Sequence, residues 1–480
     1  MAKEYEMVIG LEVHVELATK TKIFCGCKTT FGMKPNTLTC PVCSGMPGSL
    51  PVLNKKVLEY AIMVGLATNC DITRYSKFDR KNYFYPDNPQ NYQISQLYEP
   101  ICRNGFVNIK SDAGEKKIGI HEIHMEEDAG KLVHDSWGET SFVDYNRSGV
   151  PLIEIVSEPD MRSADDVINY LEKLRLIIQY LGVSDCKLNE GSMRADVNVS
   201  VMEKGSKTFG TRTEMKNLNS FKAIRRAIEN ERERQIDLIE SGEEIVQETR
   251  KWDDEKGKSY PMRSKEDAKD YRYFPEPDLM PIVIDDEWLD KLKEKEPEFK
   301  DEKVKRYISE FKLPEYDADI ITEDKKMADF FEEAISLGGE PKKISNYLLG
   351  EVKRLLNENN TEFDKINLNP LNLVKLIKIQ EEGKINSTIA KEVFEKMYYE
   401  DVEPLEYIKE HSLMMESNED ELKDIVQKVI DENEKSVEDY RNGKEKALGF
   451  LVGQTMKVTK GKANPGMINK LLKELLSDGK

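Results

Sequence analysis

The sequence predicts an α+β protein, with a strand-rich N-terminal part followed by helices. Three observations carry that expectation. Between Met7 and Leu17 the residues alternate, with Leu11, Val13, Val15 and Leu17 on one side and Glu12, His14 and Glu16 on the other. That is the period of a strand with one buried face. The pattern returns in Met193–Val201, where Met193, Ala195, Val197, Val199 and Val201 oppose Arg194, Asp196, Asn198 and Ser200. From about Pro297 the strand signal stops and a Lys/Glu-rich helical periodicity replaces it.

The remaining elements follow in order. Phe142–Val156 carries Asp144, Asn146 and Glu154 among apolar neighbours. Ser163 and Asp166 form a capping box that opens a helix over Ala164–Leu181. In Thr211–Lys216, Arg212, Glu214 and Lys216 share a strand face. A second long helix runs from about Asn219 to Ser241 and stops at Gly242. Several strands thus pair an apolar face with a densely polar one. An antiparallel sheet covered by helices on one side, its other side an open concave site, satisfies that pattern. A break near Glu400–Pro404 divides the helical part. The expected domains are 1–293, 294–404 and 405–480.

Composition narrows the function classes. Of 480 residues, 34% are charged and 39% hydrophobic, with mean hydropathy −0.62, which suits a chain with a well-solvated surface. No apolar run approaches a membrane span, and the N-terminus reads as neither signal nor transit peptide, so the expected address is the cytoplasm, with no membrane partner. A formal net charge of −18 argues against holding a polyanion through a general field. A local patch is offered by Arg441, Lys444, Lys446, Lys457, Lys460, Lys462, Lys470, Lys473 and Lys480, opposed by Glu445, Glu474 and Asp478. Ordinary variation along helix surfaces gives similar segregation.

Cys25, Cys27, Cys40 and Cys43 form two close pairs among turn residues. In a chain without an export signal this reads as a closed, structural zinc knuckle over residues 25–43; reduced thiols without metal are the alternative. Cys70, Cys102 and Cys186 read as small buried hydrophobes. Glu12, His14, the run His124-Met-Glu126-Glu127-Asp128 and Glu154 supply acidic and imidazole groups that can converge on Mg²⁺. Lys81 lies among Tyr83, Phe84, Tyr85, Gln90, Tyr92, Gln93 and Gln96, a mixture suited to stacking a base and holding phosphates, or to a plain aromatic cluster. The chain has no G-x4-G-K-[ST] loop, and it shows no glutamine-hydrolysing machinery. A reaction consuming glutamine would need a partner chain.

At this point long strings become specific. They include Ile9-Gly-Leu-Glu-Val-His-Val-Glu16, Phe78-Asp-Arg-Lys-Asn-Tyr-Phe-Tyr-Pro-Asp87 and His124-Met-Glu-Glu-Asp-Ala-Gly-Lys131. Asp144-Tyr-Asn-Arg-Ser-Gly-Val-Pro-Leu-Ile-Glu154, Asp270-Tyr-Arg-Tyr-Phe-Pro-Glu-Pro-Asp278 and Lys446-Ala-Leu-Gly-Phe-Leu-Val-Gly-Gln454 with Ala463-Asn-Pro continue the pattern. Over nearly its whole length the chain resembles the GatB/GatE family, the B components of aspartyl/glutamyl-tRNA(Asn/Gln) amidotransferases.

The resemblance implies a cradle domain, a helical domain and a YqeY-like helical tail that binds tRNA. It implies a heterotrimer with an amidase-type A subunit, which is the glutaminase, and a small C subunit. It also implies a glutamine-dependent carbon–nitrogen ligase: ATP phosphorylates the side-chain carboxylate of Glu-tRNA(Gln) or Asp-tRNA(Asn), and ammonia then forms the amide. Carried over by motif, Glu12, His14, Glu127 and Glu154 are the implied Mg²⁺ ligands, Lys81 a pocket residue, and Cys25, Cys27, Cys40 and Cys43 the zinc ligands. Arg194, Asp196, Asn198, Glu214 and Lys216 are added as nucleotide-binding residues on the strand-face argument alone. A tRNA-binding scaffold without chemistry is the competing reading. A stand-alone zinc hydrolase is disfavoured, because four thiolates leave no open metal position.

Overall fold

The structure is a computed structural model that describes residues 4–112, 114–135, 140–264, 271–415, 419–459, 463 and 465–477. It divides into two compact units, Met1–Phe299 and Lys300–Lys480. The division falls a few residues beyond the expected one because the helix Asp286–Lys293 and its following turn belong to the first unit.

The first unit is built on a nine-stranded sheet. Edge to edge its strands are Lys258–Ser264, Glu248–Asp253, Thr213–Lys216, Met193–Glu203, Tyr5–Glu16, Pro151–Ser157, Gly114–Glu127, Cys102–Ser111 and Asp71–Ile72. Neighbours are antiparallel, as the sequence predicts, with one difference: Thr213–Lys216 and Glu248–Asp253 run parallel. The helix Phe221–Ser241 is the cause, since it carries the chain back to the starting end before the next strand begins. Ser220 caps its first turn through Ala223 N, and Gly242 ends it in the left-handed region at φ 77°.

Alternation then sorts the side chains. Leu11, Val13, Val15, Ile153, Ile155 and Val197 point into a core that receives Val57, Leu58 and Ala61 from the helix Lys55–Ala67. The same core takes Leu171, Leu174 and Ile178 from Ala164–Tyr180, and Ile224, Ala227 and Ile228 from Phe221–Ser241. Burying each Val, Leu or Ile side chain contributes about 1.5–3 kcal/mol, which fixes the register and so the identity of the opposite face. A smaller sheet joins Asp79–Asn82 to Tyr92–Ser95 and Phe274–Pro275.

The second unit is helical. One core gathers residues from Tyr307 to Ile408, and another, of Leu422, Val426, Val429, Leu451, Leu471 and Leu472 among others, belongs to the terminal helices. No helix among the described residues is long and apolar enough to cross a membrane. Lys460, Lys462, Asp478 and Lys480 of the expected basic segment, like Asn464 and Asp270 of the quoted motifs, lie outside the described residues.

Candidate active site

The polar face of the sheet is assembled by register. His14 stands opposite Glu154 on one neighbour and Arg194 on the other, while Glu12 stands opposite Asp196. Glu154 in turn faces His124, and Asn198 faces Glu214. Directly opposed residues share a face, so five strands deliver their polar rows to one surface.

Two ligand groups result. In the first, one donor atom each from His14, Glu126 and Glu154 lies within 4.8 Å of the others. His14 Nε2 is 3.3 Å from Glu154 and 3.8 Å from Glu126, and His124 Nε2 is 3.3 Å from Glu154. Burial pushes the Glu154 carboxyl up, but the two imidazoles outweigh it and hold the group well below its usual range. Burial pulls the His124 imidazole down, yet Glu154, Glu122 and Glu126 drive it up to about 10. Lys81 comes from the small sheet, its ammonium 5.0 Å from the Tyr271 ring centre. Although burial opposes its charge, Glu126 and Glu154 keep it raised above its ordinary value. Arg80, one residue earlier, points the other way, to Glu276 at 2.6 Å and Asp278 at 3.0 Å.

The second group is Glu12, Asp196 and Glu214, again within 4.8 Å. Lys216 pairs with Asp196 and lies 3.0 Å from Glu214, and Thr249 Oγ1 donates to Glu214 at 2.6 Å. Asn198 Nδ2 donates to Glu12 at 3.2 Å. Burial, then Glu154, Glu214 and Asp196, push the Glu12 carboxyl up, the signature of a site short of positive charge. At the far end of the row Arg194 binds Asp128 at 3.0 Å, and burial with Asp128 raises Glu16 to about 7.

The four residues expected around one ion therefore do not form one cluster. His14 and Glu154 meet, but Glu12 belongs to the second group. Glu127 lies on the opposite face of its strand, where Gln90 Nε2 and Ile94 N donate to its carboxylate. Burial raises it to about 8. Its place is taken by Glu126, because side chains alternate and Glu126 shares the parity of His124. Strand parity was the signal for Glu126, and motif position pointed one residue away.

Glu127 instead lines a cavity of about 410 Å³ together with Arg80, Gln90 and Tyr92 and with Cys25 and Cys43 of the knuckle. The four thiols Cys25, Cys27, Cys40 and Cys43 also lie within 4.8 Å of one another and can hold a metal ion. Cys43 Sγ is 4.0 Å from Cys27 Sγ and 3.9 Å from Cys40 Sγ. Lys22, wholly buried, brings Nζ to 3.4 Å from Cys43 Sγ and 3.2 Å from Tyr145 O.

A family model described as the GatB/GatE catalytic domain matches residues 7–290, and one described as the GatB domain matches residues 329–476. The chain belongs to the GatB/GatE family. Among its relatives is a protein of Agathobacter rectalis, 68% identical over 474 residues, which span 99% of this chain and 100% of that one. Another, from Lachnospira eligens, is 66% identical over 481 residues, again 99% and 100% of the two chains. A third, from Caldicellulosiruptor bescii, is 58% identical over 476 residues, 98% and 99% of the two. All three are named as the B component of an aspartyl/glutamyl-tRNA(Asn/Gln) amidotransferase. The GatB/GatE catalytic span holds both ligand groups, Lys81 and the knuckle, and the GatB span covers helices that contribute to both cores of the second unit.

Proposed function

We propose that the chain is the activating component of an aspartyl/glutamyl-tRNA(Asn/Gln) amidotransferase. In this reading it transfers the γ-phosphoryl group of ATP to the side-chain carboxylate of misacylated Glu-tRNA(Gln) or Asp-tRNA(Asn) and presents the product to ammonia. The observation that carries the reading is the meeting of His14, Glu126 and Glu154, whose carboxylates also act on the charge of Lys81, on the open polar face of a chain whose relatives bear that name.

The chemistry sets the requirements. A carboxylate resists amines because attack would have to expel oxide. One carboxylate oxygen attacks the terminal phosphorus and ADP leaves, which makes that oxygen part of a good leaving group. Ammonia nitrogen then attacks the acyl carbon, the C–O bond breaks, and inorganic phosphate departs with that oxygen while the nitrogen loses a proton to solvent. His14, Glu126 and Glu154 would hold Mg²⁺, which supplies charge that offsets repulsion between the two anions. Lys81 adds a fixed positive charge at the same point, and the His124 imidazolium keeps Glu154 ionised and oriented. Glu127 acts behind the sheet by anchoring Gln90 and the Tyr92–Ser95 strand, through which Lys81 is paired.

Cys25, Cys27, Cys40 and Cys43 would hold structural zinc. The Cys43–Cys27 and Cys43–Cys40 S···S distances lie close to the ~3.8 Å edge of a tetrahedron with Zn–S bonds of ~2.3 Å. Ammonia would come from an amidase-type A subunit, joined with a small C subunit in a heterotrimer in the cytoplasm. The terminal segment 405–480 would meet tRNA through Arg441, Lys446, Lys457 and Lys473, phosphate contacts that position without reading sequence. A scaffold without chemistry would line an RNA-facing wall with cations, and converging carboxylates would repel RNA. Measuring ADP formed from ATP and Glu-tRNA by the assembled complex separates the two. Loss of that ADP in His14→Ala supports activation here; undiminished ADP would place the chemistry elsewhere.

A further inference from the structure

The segment Lys20-Thr-Lys-Ile-Phe-Cys25 carries two lysines with opposite fates. Lys20 is exposed, whereas Lys22 is wholly buried. A lysine is almost never taken fully out of water without a counter-charge, because an unpaired buried cation is strongly destabilising. Nζ of Lys22 meets Cys43 Sγ at 3.4 Å and Tyr145 O at 3.2 Å, and no carboxylate pairs with it among the described residues. Hydrogen bonds to two neutral groups do not offset the desolvation of a cation. A cluster of thiolates does. Four thiolates around one Zn²⁺ leave two negative charges in excess, in a shell with no open position. That excess is itself costly where Cys43 is buried and the other three are half-buried. Cation and cluster thus each lack what the other supplies.

The backbone places them together. Lys22 N donates to Cys27 O at 2.9 Å, in the first cysteine pair, while Nζ reaches Cys43 in the second. Cys43 Sγ also accepts from Cys40 N at 3.2 Å, so two donors converge on one sulfur. The turn at Gly149 closes over the same spot. Ile23 N donates to Gly149 O at 3.0 Å, and Gly149 is left-handed at φ 78°. A Cβ built on it would stand 3.5 Å from Cys43 Cβ and 3.6 Å from Lys22 Cδ, in direct contact with both. The lysine stem is sealed from water between the knuckle and this turn.

Resting on the reading of the four thiols as a zinc site, we propose that Lys22 supplies the counter-charge of the zinc-bound thiolates and retains the metal through Cys43. It is a positioning residue and touches no reacting atom. Zinc and the buried cation are then linked: whatever Lys22 adds to zinc affinity, bound zinc returns to the stability of the charged side chain. A lysine kept only for its bond to Tyr145 O shows no such linkage.

The test uses the full chain in its assembled complex and reads zinc, not turnover. Zinc affinity is measured by competition with a chromogenic chelator in the unaltered protein and in two variants. Lys22→Met keeps the length of the side chain and removes both charge and donors. Lys22→Gln removes the charge and keeps a donor for Tyr145 O. Partners of metal-ligating groups are worth about 10–100-fold in affinity, so both variants are expected to bind zinc at least about tenfold more weakly. With zinc in saturating excess, hydrogen exchange at residues 33–38 is expected to match that of the unaltered protein, since the loss lies in affinity. A purely structural lysine gives the reverse, unchanged affinity with faster exchange even at saturation. That result, or full affinity in Lys22→Gln, would overturn the proposal while the zinc site stands. If the unaltered complex takes up no zinc, both fall.

Discussion

Glu126 and Glu127 are adjacent in sequence and on opposite faces of one strand. In the proposed reading Glu126 would hold Mg²⁺ and Glu127 would anchor a neighbouring loop, so the two should answer differently to the same change. Glu126→Gln is expected to lower the ADP-forming rate by about 100-fold and to raise the Mg²⁺ concentration needed for half-maximal rate. Glu127→Gln is expected to leave that Mg²⁺ dependence in place, and titrating Mg²⁺ in both variants checks it. Alternation told which residues of Met193–Val201 and Thr211–Lys216 face the site, and the structure puts Arg194, Asp196, Asn198, Glu214 and Lys216 on the polar face. The same alternation, counted from His124, puts Glu126 on that face and Glu127 on the other, but the carry-over by motif named Glu127. In the second unit, Glu332 shows the same economy of charge. Burial pushes its carboxyl up, but Lys303, Tyr307 and Arg306 outweigh it and hold it below its usual value. A depressed carboxyl stabilises fully above its unfolded pKa of about 4.3, and that stabilisation is lost as pH falls through the folded value. Glu332→Gln should therefore melt about 2–4 °C lower at pH 7, for a loss of ~1 kcal/mol, and the gap should close on acidification below pH 4.

The Asp144–Glu154 motif makes sense as an element rather than as single residues. Asn36 N donates to Asp144 and Asn36 Nδ2 to Val143 O, while Leu38 N donates to Asn146 Oδ1. Asn146 Nδ2 reaches back to Lys34 O at 2.7 Å, and Tyr145 N donates to Asn36 Oδ1. The turn before the Pro151–Ser157 strand thus clamps the knuckle loop, and Ser148 Oγ donates to Cys43 O to complete the link. Removing the zinc proposed for the four thiols with a chelator should release residues 33–38. Hydrogen exchange of their amides is expected to rise about tenfold or more, with the sheet Tyr5–Glu16 unchanged, because the clamp alone contributes only about 1 kcal/mol per bond. Helices were the most legible elements, since the cap at Ser163 and the stop at Gly242 mark helix ends in the sequence itself, while the Ser220 cap emerged only with the structure. The parallel pairing of Glu248–Asp253 was not legible, because it is set by where the long helix returns the chain.

At the scale of the whole molecule, the change of texture near Pro297 marks the boundary between units to within a few residues. The terminal helices have a core of their own, while Ile408, Leu413 and Met414 pack with the preceding one and Met415 N donates to Lys384 O. A chain ending at Met415 should consequently keep its fold and assemble with its partners, yet bind Glu-tRNA about tenfold more weakly, with a shallower dependence on salt. An unchanged tRNA affinity in gel-shift titrations would remove the tail from recognition. In the proposed reading a side-chain carboxylate is activated by phosphoryl transfer on the polar face of the sheet. Glu-tRNA carrying ¹⁸O in that carboxylate tests it most directly, by mass spectrometry of the phosphate released by the complete enzyme. The reading predicts one ¹⁸O atom in each phosphate formed per amide, and the same label lost together with turnover in Glu126→Gln. Phosphate free of ¹⁸O during normal amide formation would contradict it.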